Sequence, residues 1–217
     1  MTDFATRRRM MVDTQVRPSD VTEFPIIDAM LSLPREAFVP RDKIEAAYAE
    51  DQIELGGGRV ILDPRCFAKM LDAANLNNKD LVLDIGAGFG YSSAIIARIA
   101  EAVVAVEDDE ARAQEAQDLL TEHHADNVIL HRGPLVDGAD EHGPYDVIMI
   151  EGGIETLPDS IAAQLKDGGR VVAIFMDRAL GTVRVGYKLD GKISWRYAFN
   201  AGAPVLDGFE KTRSFAL

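Results

Sequence analysis

From residue 81 onward the chain alternates short, nearly continuous apolar runs with stretches whose apolar residues recur at helical spacing. The runs are LVLDI (81–85), VVAVE (103–107), NVILH (127–131), YDVIMIEGG (145–153) and RVVAIFM (170–176). Helices are predicted from Tyr91, across residues 110–124 and across residues 161–165. Strands that are apolar throughout are buried on both faces, and an intervening helix returns each strand parallel to the one before it. The pattern therefore predicts an α/β fold, a doubly wound, mostly parallel sheet. Two later runs, VRVGYKL (183–189) and KISWRYAF (192–199), alternate apolar with polar residues around Asp190 and Gly191. That dipeptide is a strong two-residue turn signal, so an antiparallel hairpin is expected to finish the sheet.

The N-terminal part is more broken. Ser19 is expected to cap a helical segment running through Leu33, Pro34 and Pro40 to interrupt it, and Gly56, Gly57 and Gly58 to make a flexible loop. A helix is expected from Pro64, with Phe67, Met70, Leu71 and Ala74 on one face and residues 75–78 ending it before the first buried strand.

The candidate chemistry lies where the first apolar run meets its helix, in VLDIGAGFGYSS (82–93). The missing side chains of Gly86, Gly88 and Gly90 let a ligand approach the backbone. Glu107 ends the next strand roughly twenty residues on, where a carboxylate can accept both ribose hydroxyls of an adenosine group. The spacing is GxGxG, with Tyr91 where a dinucleotide site has its third glycine, which favours S-adenosylmethionine over NAD. Asp84 is then expected near the methionine amino group.

Charge and composition narrow the remaining classes. A formal net charge of −13 opposes binding to nucleic acid, which depends on clustered Lys and Arg. Arg7, Arg8 and Arg9 form one basic cluster, without interleaved aromatic residues, and are read as a solvated face or as local charge partners. No apolar run approaches membrane-spanning length. The single cysteine, Cys66, excludes an internal disulfide and suits a cytoplasmic setting, where it is expected to pack as a small hydrophobe. His123, His124, His131 and His142 lack a ligand-type spacing, so no metal is expected.

The segments AMLSLPREAFVP (29–40), AYAED (47–51), GGGRVILDP (56–64), the glycine loop, NVILHRGP (127–134), PYDVIMI (144–150) and QLKDGGRVV (164–172) occur in an order that resembles the protein-L-isoaspartate O-methyltransferase family. The resemblance covers most of the chain and weakens after Met176. It implies a class I methyltransferase fold, with an N-terminal helical extension and substrate-side loop over residues 1–78. Residues 79–217 would form the S-adenosylmethionine-binding domain, the two making one globular unit. It further implies methylation of isoaspartyl carboxylates in damaged proteins, a protein repair activity whose partner is a protein or peptide. The cofactor set on this resemblance is Asp84, Gly86, Ala87, Gly88, Gly90, Tyr91, Glu107, Asp108 and Gly133.

The acceptor side departs from the family pattern. Leu62 stands where the family has the serine of its TISQP-like stretch, and leucine has no hydroxyl to donate to a substrate carboxylate. Arg59 replaces a glutamine and is read either as a carboxylate ligand or as a solvated side chain. Pro134 takes the place of an acid that would meet the adenine amino group, with Asp137 nearby. Glu151 ends a strand where the family is small and apolar, and is read as a general base, an amine contact or a cap for the following helix. Arg59, Leu62 and Glu151 are thus the candidate acceptor residues. Two other readings keep the cofactor: a methyltransferase with another small-molecule or protein acceptor, and a noncatalytic cofactor-binding scaffold. Oligomeric state is not legible.

Overall fold

A computed structural model describes residues 3–211. The sheet has the order β5-β4-β3-β6-β7-β8-β9. Its parallel part consists of β3 (Leu81–Ile85), β4 (Ala102–Glu107), β5 (Val128–Arg132), β6 (Tyr145–Ile154) and β7 (Leu165–Asp177). The chain starts in the middle at β3, moves outward through β4 to β5, then crosses back to β6 on the other side of β3. That reversal opens a crevice at the C-terminal ends of β3 and β6, where open α/β sheets bind their ligands.

Two antiparallel strands, β8 (Leu180–Leu189) and β9 (Lys192–Asn200), extend the sheet beyond β7. The expected turn joins them: Asp190 and Gly191 have φ of 50° and 73°, the positive values a two-residue hairpin turn demands. The helices lie between strands, as the pattern requires: α4 (Tyr91–Ile96), α5 (Glu110–Glu122) and α6 (Asp159–Gln164).

Upstream are α1 (Phe4–Met11), α2 (Phe24–Ser32), a two-stranded hairpin of β1 (Ile53–Gly56) and β2 (Arg59–Ile61), and α3 (Pro64–Ala74). Two expectations change here. Ser19 does not cap α2; its hydroxyl donates to the Gln15 carbonyl at the end of the preceding helical run, and α2 begins only after Glu23. Gly56, Gly57 and Gly58 are no loose loop but the turn of the β1–β2 hairpin, all with positive φ. The helix from Pro64 forms as expected. Asp63 caps it through the Cys66 amide, and Asn75 stops it in the left-handed region.

Apolar side chains of α1, α2 and α3 share one core with Val82, Val103, Val147 and Val172 on one face of the sheet. Leu83, Val104, Ile148 and Val171, the alternate residues, build the second core on the other face. Of the readings of the basic cluster, Arg7 and Arg8 are local charge partners: Arg7 pairs with Glu45 at 2.8 Å, and Arg8 with Glu36 at 3.3 Å. Cys66 is buried, and burial pushes its thiol pKa up.

Candidate cofactor and acceptor site

The glycine loop leaves the C-terminal end of β3 with Gly86, Gly88 and Gly90 at φ of 88°, 61° and 89°. Its first amides, those of Gly86 and Ala87, donate to the Val106 carbonyl at 3.0 and 3.2 Å, fixing the loop to β4. Asp84, the last acid of β3 before the loop, is fully buried. One of its oxygens, Oδ2, accepts hydrogen bonds from the hydroxyls of Ser92 (2.7 Å) and Ser93 (2.5 Å) in α4. The other, Oδ1, has no partner among the described residues.

Glu151 comes from the neighbouring strand. It is 4 % exposed, and its Oε1 also lacks a partner. The capping reading fails, because β6 continues through Ile154 and α6 starts only at Asp159. Burial, reinforced by the nearby Asp84 charge, holds the Glu151 carboxyl well above its ordinary range. Burial also pushes Asp84 up, to about 6, against the pull of its two serine hydroxyls. Two carboxyls in one dry pocket do not both ionise readily. Asp84 has the hydroxyl donors that favour a charge, so Glu151 is the more readily protonated of the two.

Glu107, at the end of β4, is saturated where Asp84 is not. Its Oε2 accepts from the Gly88 amide at 2.8 Å and from Arg59 Nη2 at 3.0 Å. Its Oε1 accepts from the Asp109 amide at 3.1 Å, Arg112 Nε at 3.0 Å and Arg59 Nη1 at 3.3 Å. Asp108 receives Arg59 Nη1 at 2.7 Å. Of the two sequence readings of Arg59, solvated residue or carboxylate ligand, the structure supports the second, but the carboxylates belong to its own chain. The side chain is 5 % exposed and sits on the hairpin, 48 residues from Glu107.

Leu62 is buried, and its carbonyl accepts from the buried Arg35 at 2.8 Å. Leu62, Glu151, Ser92, Gly86, Gly88 and Tyr91 line one small cavity of about 10 Å³, which Leu55 of the hairpin also borders. Gly133 follows β5 and donates its amide to the Glu107 carbonyl at 3.2 Å. Pro134 opens a short helical turn containing Asp137. The chain thus brings the expected cofactor residues to one edge of the sheet, with Leu62 and Glu151 at the same cavity.

One grouping was not legible in the sequence. His131 Nδ1 and His142 Nε2 lie 3.3 and 3.4 Å from the same Glu141 oxygen. Spacing gave no sign of it, because the two histidines come from β5 and from a turn that folds back beside it.

The donor set suits an adenosine ligand with a cationic tail in two respects: the glycine loop leaves its backbone bare, and Asp84 retains an unused buried acceptor. Glu107, the acid expected to meet a ribose, is covered by Arg59. The sheet, its glycine loop and the acid ending β4 define the class I methyltransferase fold. A family model for protein-L-isoaspartate(D-aspartate) O-methyltransferase matches residues 7–198, and the chain belongs to that family.

Curated relatives agree. A protein-L-isoaspartate O-methyltransferase from Roseiflexus castenholzii is 35 % identical over 170 residues, 78 % of each chain. One from Petrotoga mobilis is 31 % identical over 198 residues, covering 90 % of this chain and 93 % of its own. Among solved structures, a protein-L-isoaspartate O-methyltransferase superposes with a TM-score of 0.80 at 25 % identity, over 93 % of this chain and 66 % of that one. A Plasmodium falciparum protein of the same description, solved with S-adenosyl-L-homocysteine, superposes with a TM-score of 0.79 over 95 % of this chain and 99 % of that one. At 15 % identity this second likeness speaks for the fold alone.

Proposed function

We propose that this protein transfers a methyl group from S-adenosylmethionine to the isoaspartyl carboxylate of a damaged protein or peptide. The observation that carries the reading is the family match over residues 7–198, a span that contains Asp84, the glycine loop and Glu107. Bound S-adenosylmethionine supplies a methyl group made electrophilic by the adjacent sulfonium. Asp84 Oδ1 is free to accept from the ammonium of its methionine part, and Glu107 is the acid for its ribose. Ala87, Tyr91, Asp108 and Gly133 would border it.

An acceptor carboxylate is ionised at neutral pH and needs no base, so this chain has only to position it and orient its oxygens. Leu62 cannot do so. Glu151 lines the same cavity, and in protonated form it offers an O–H to a substrate oxygen without repelling it. On this reading Glu151 is the donor that the family's serine provides elsewhere, and Arg59 is not an acceptor ligand. We infer a cytoplasmic setting from the single buried cysteine, and no nucleic acid partner from the charge of −13. Among the described residues no helix is long and apolar enough to cross a membrane.

Labelled methyl transfer to an isoaspartyl peptide, run beside the matched aspartyl peptide, tests the reading. Selective transfer that survives Glu151→Gln and falls at least tenfold in Glu151→Ala is the expected result. Transfer to neither peptide by a protein that still binds S-adenosylhomocysteine would move the acceptor to another molecule.

A further inference from the structure

The cofactor cleft is divided by a piece of the chain itself. The β1–β2 hairpin lies across the glycine loop, and its Arg59 reaches Glu107 with two nitrogens, at 3.0 and 3.3 Å. Arg59 Nη2 packs so closely on the loop that a Cβ built on Gly86 would meet it at 3.1 Å, and one on Gly88 would meet Leu55 Cδ1 at 2.8 Å. Inside the hairpin the cavity measures about 10 Å³, about the volume of one water probe. Outside it, between Leu55, Arg59, Asp108 and Arg112, the space is about 380 Å³. A ligand the size of S-adenosylmethionine needs several hundred Å³ that continue from one side to the other.

We propose that Arg59 is an internal competitor of the cofactor, occupying the ribose place on Glu107 in the free protein. Binding then requires the hairpin to lift or Arg59 to turn away. This rests on the cofactor reading above. The hydrogen-bond pattern supports it, because the two terminal nitrogens of the guanidinium take over the acceptors that two vicinal ribose hydroxyls would use. The fit is also incomplete, since the buried Arg59 Nε has no partner among the described residues. Nor does displacement strand Glu107, which keeps Arg112 and the Gly88 and Asp109 amides.

The hairpin is anchored at its base, where Ile53 and Val60 are buried in the core and Gln52 Nε2 donates to the Gly202 carbonyl, and is open only towards its turn. Its turn, Gly56 to Gly58, meets nothing: a Cβ added to any of the three would have no neighbour within 4 Å. Its far end is fixed, through the Arg35 hydrogen bond to the Leu62 carbonyl and the Asp63 cap of α3. A ligand that must displace an intramolecular contact has its affinity reduced to the fraction of molecules in which that contact is already broken.

Titration calorimetry with S-adenosylhomocysteine tests the proposal on wild type and Arg59→Gln. The expected result is at least tenfold tighter binding by the variant; equal or weaker binding by a folded variant overturns it and leaves the cofactor reading intact. Wild type gives a second readout that no substitution can spoil. Phenylglyoxal modification of Arg59, followed by peptide mass spectrometry, should accelerate when S-adenosylhomocysteine saturates the protein. An unchanged rate overturns the proposal. Binding by neither protein would remove the competitor and the cofactor reading together.

Discussion

The two ends of the cofactor cleft hold buried acids in opposite conditions. At the ribose end Glu107 has five hydrogen bonds from its own chain, three of them from arginine side chains. At the other end Asp84 and Glu151 are equally dry, yet among the described residues each leaves an oxygen unpartnered and no arginine forms an ion pair with either. At the first the Glu107 carboxylate is satisfied without a ligand, although Arg59 Nε beside it has no partner among the described residues. The second is a place where polar atoms have been taken out of water and not compensated, which stabilises nothing until something binds. Only the second end is poised to gain from a ligand, and the first must give something up.

Glu107→Ala should break the comparison at its stronger end. It leaves Arg59 buried with Asp108 as its one remaining carboxylate partner, and stability measured by urea denaturation should fall by about 3 to 5 kcal/mol. S-adenosylhomocysteine binding should be lost with it. A loss below about 1 kcal/mol would mean that the network is no more than a surface pairing.

Glu151→Gln acts on the opposite end and should stabilise. A carboxyl whose folded pKa lies above its unfolded one contributes stability that is fully present at low pH and is lost as pH rises through the folded value. For Asp84 that window runs from its ordinary 3.8 to about 6, and Glu151 extends it upward. Wild type should therefore weaken between pH 4 and 7 relative to the variant. At pH 8 the variant should be ahead by about 1 to 3 kcal/mol. Thermal melts across that range decide it: parallel curves would show Glu151 to be ionised and compensated after all.

The smallest effect should come from Leu62→Ser. If Glu151 already donates to the acceptor, a second hydroxyl in the same cavity should raise isoaspartyl methylation by only a few-fold. A hundredfold gain would mean that wild type has no working donor.

The sheet was legible because each parallel strand is buried on both faces, and a continuous apolar run is a local signal. Asp84 and Glu107 were readable as candidate cofactor acids for the same reason, since the first is the only acid of one such run and the second ends the next. Arg59 was not, because its partner is 48 residues away and no one-dimensional spacing marks a pairing made across two sheets. Gly56 to Gly58 gave a true signal that was misread: three positive φ values suit a tight turn as well as a loose loop, and strands of four and three residues are too short to show alternation. The capping reading of Glu151, one of three, assumed that the strand ends with Glu151, Gly152 and Gly153. They sit instead in a strand whose register shifts between Met149 and Gly153, and the chain turns only later. Leu62 was readable as a departure from the family, but the donor proposed in its stead was not, since Glu151 lies on a different strand.

Cys66 gives the hairpin an experimental handle. It is the chain's only cysteine, and burial leaves its thiol protonated and shielded from reagents. A thiol introduced at the exposed Glu54 of β1 would therefore be the single reactive sulfur in the molecule. An environment-sensitive dye attached there would ride on the hairpin, and its emission would report opening and closing in real time without any reaction being catalysed.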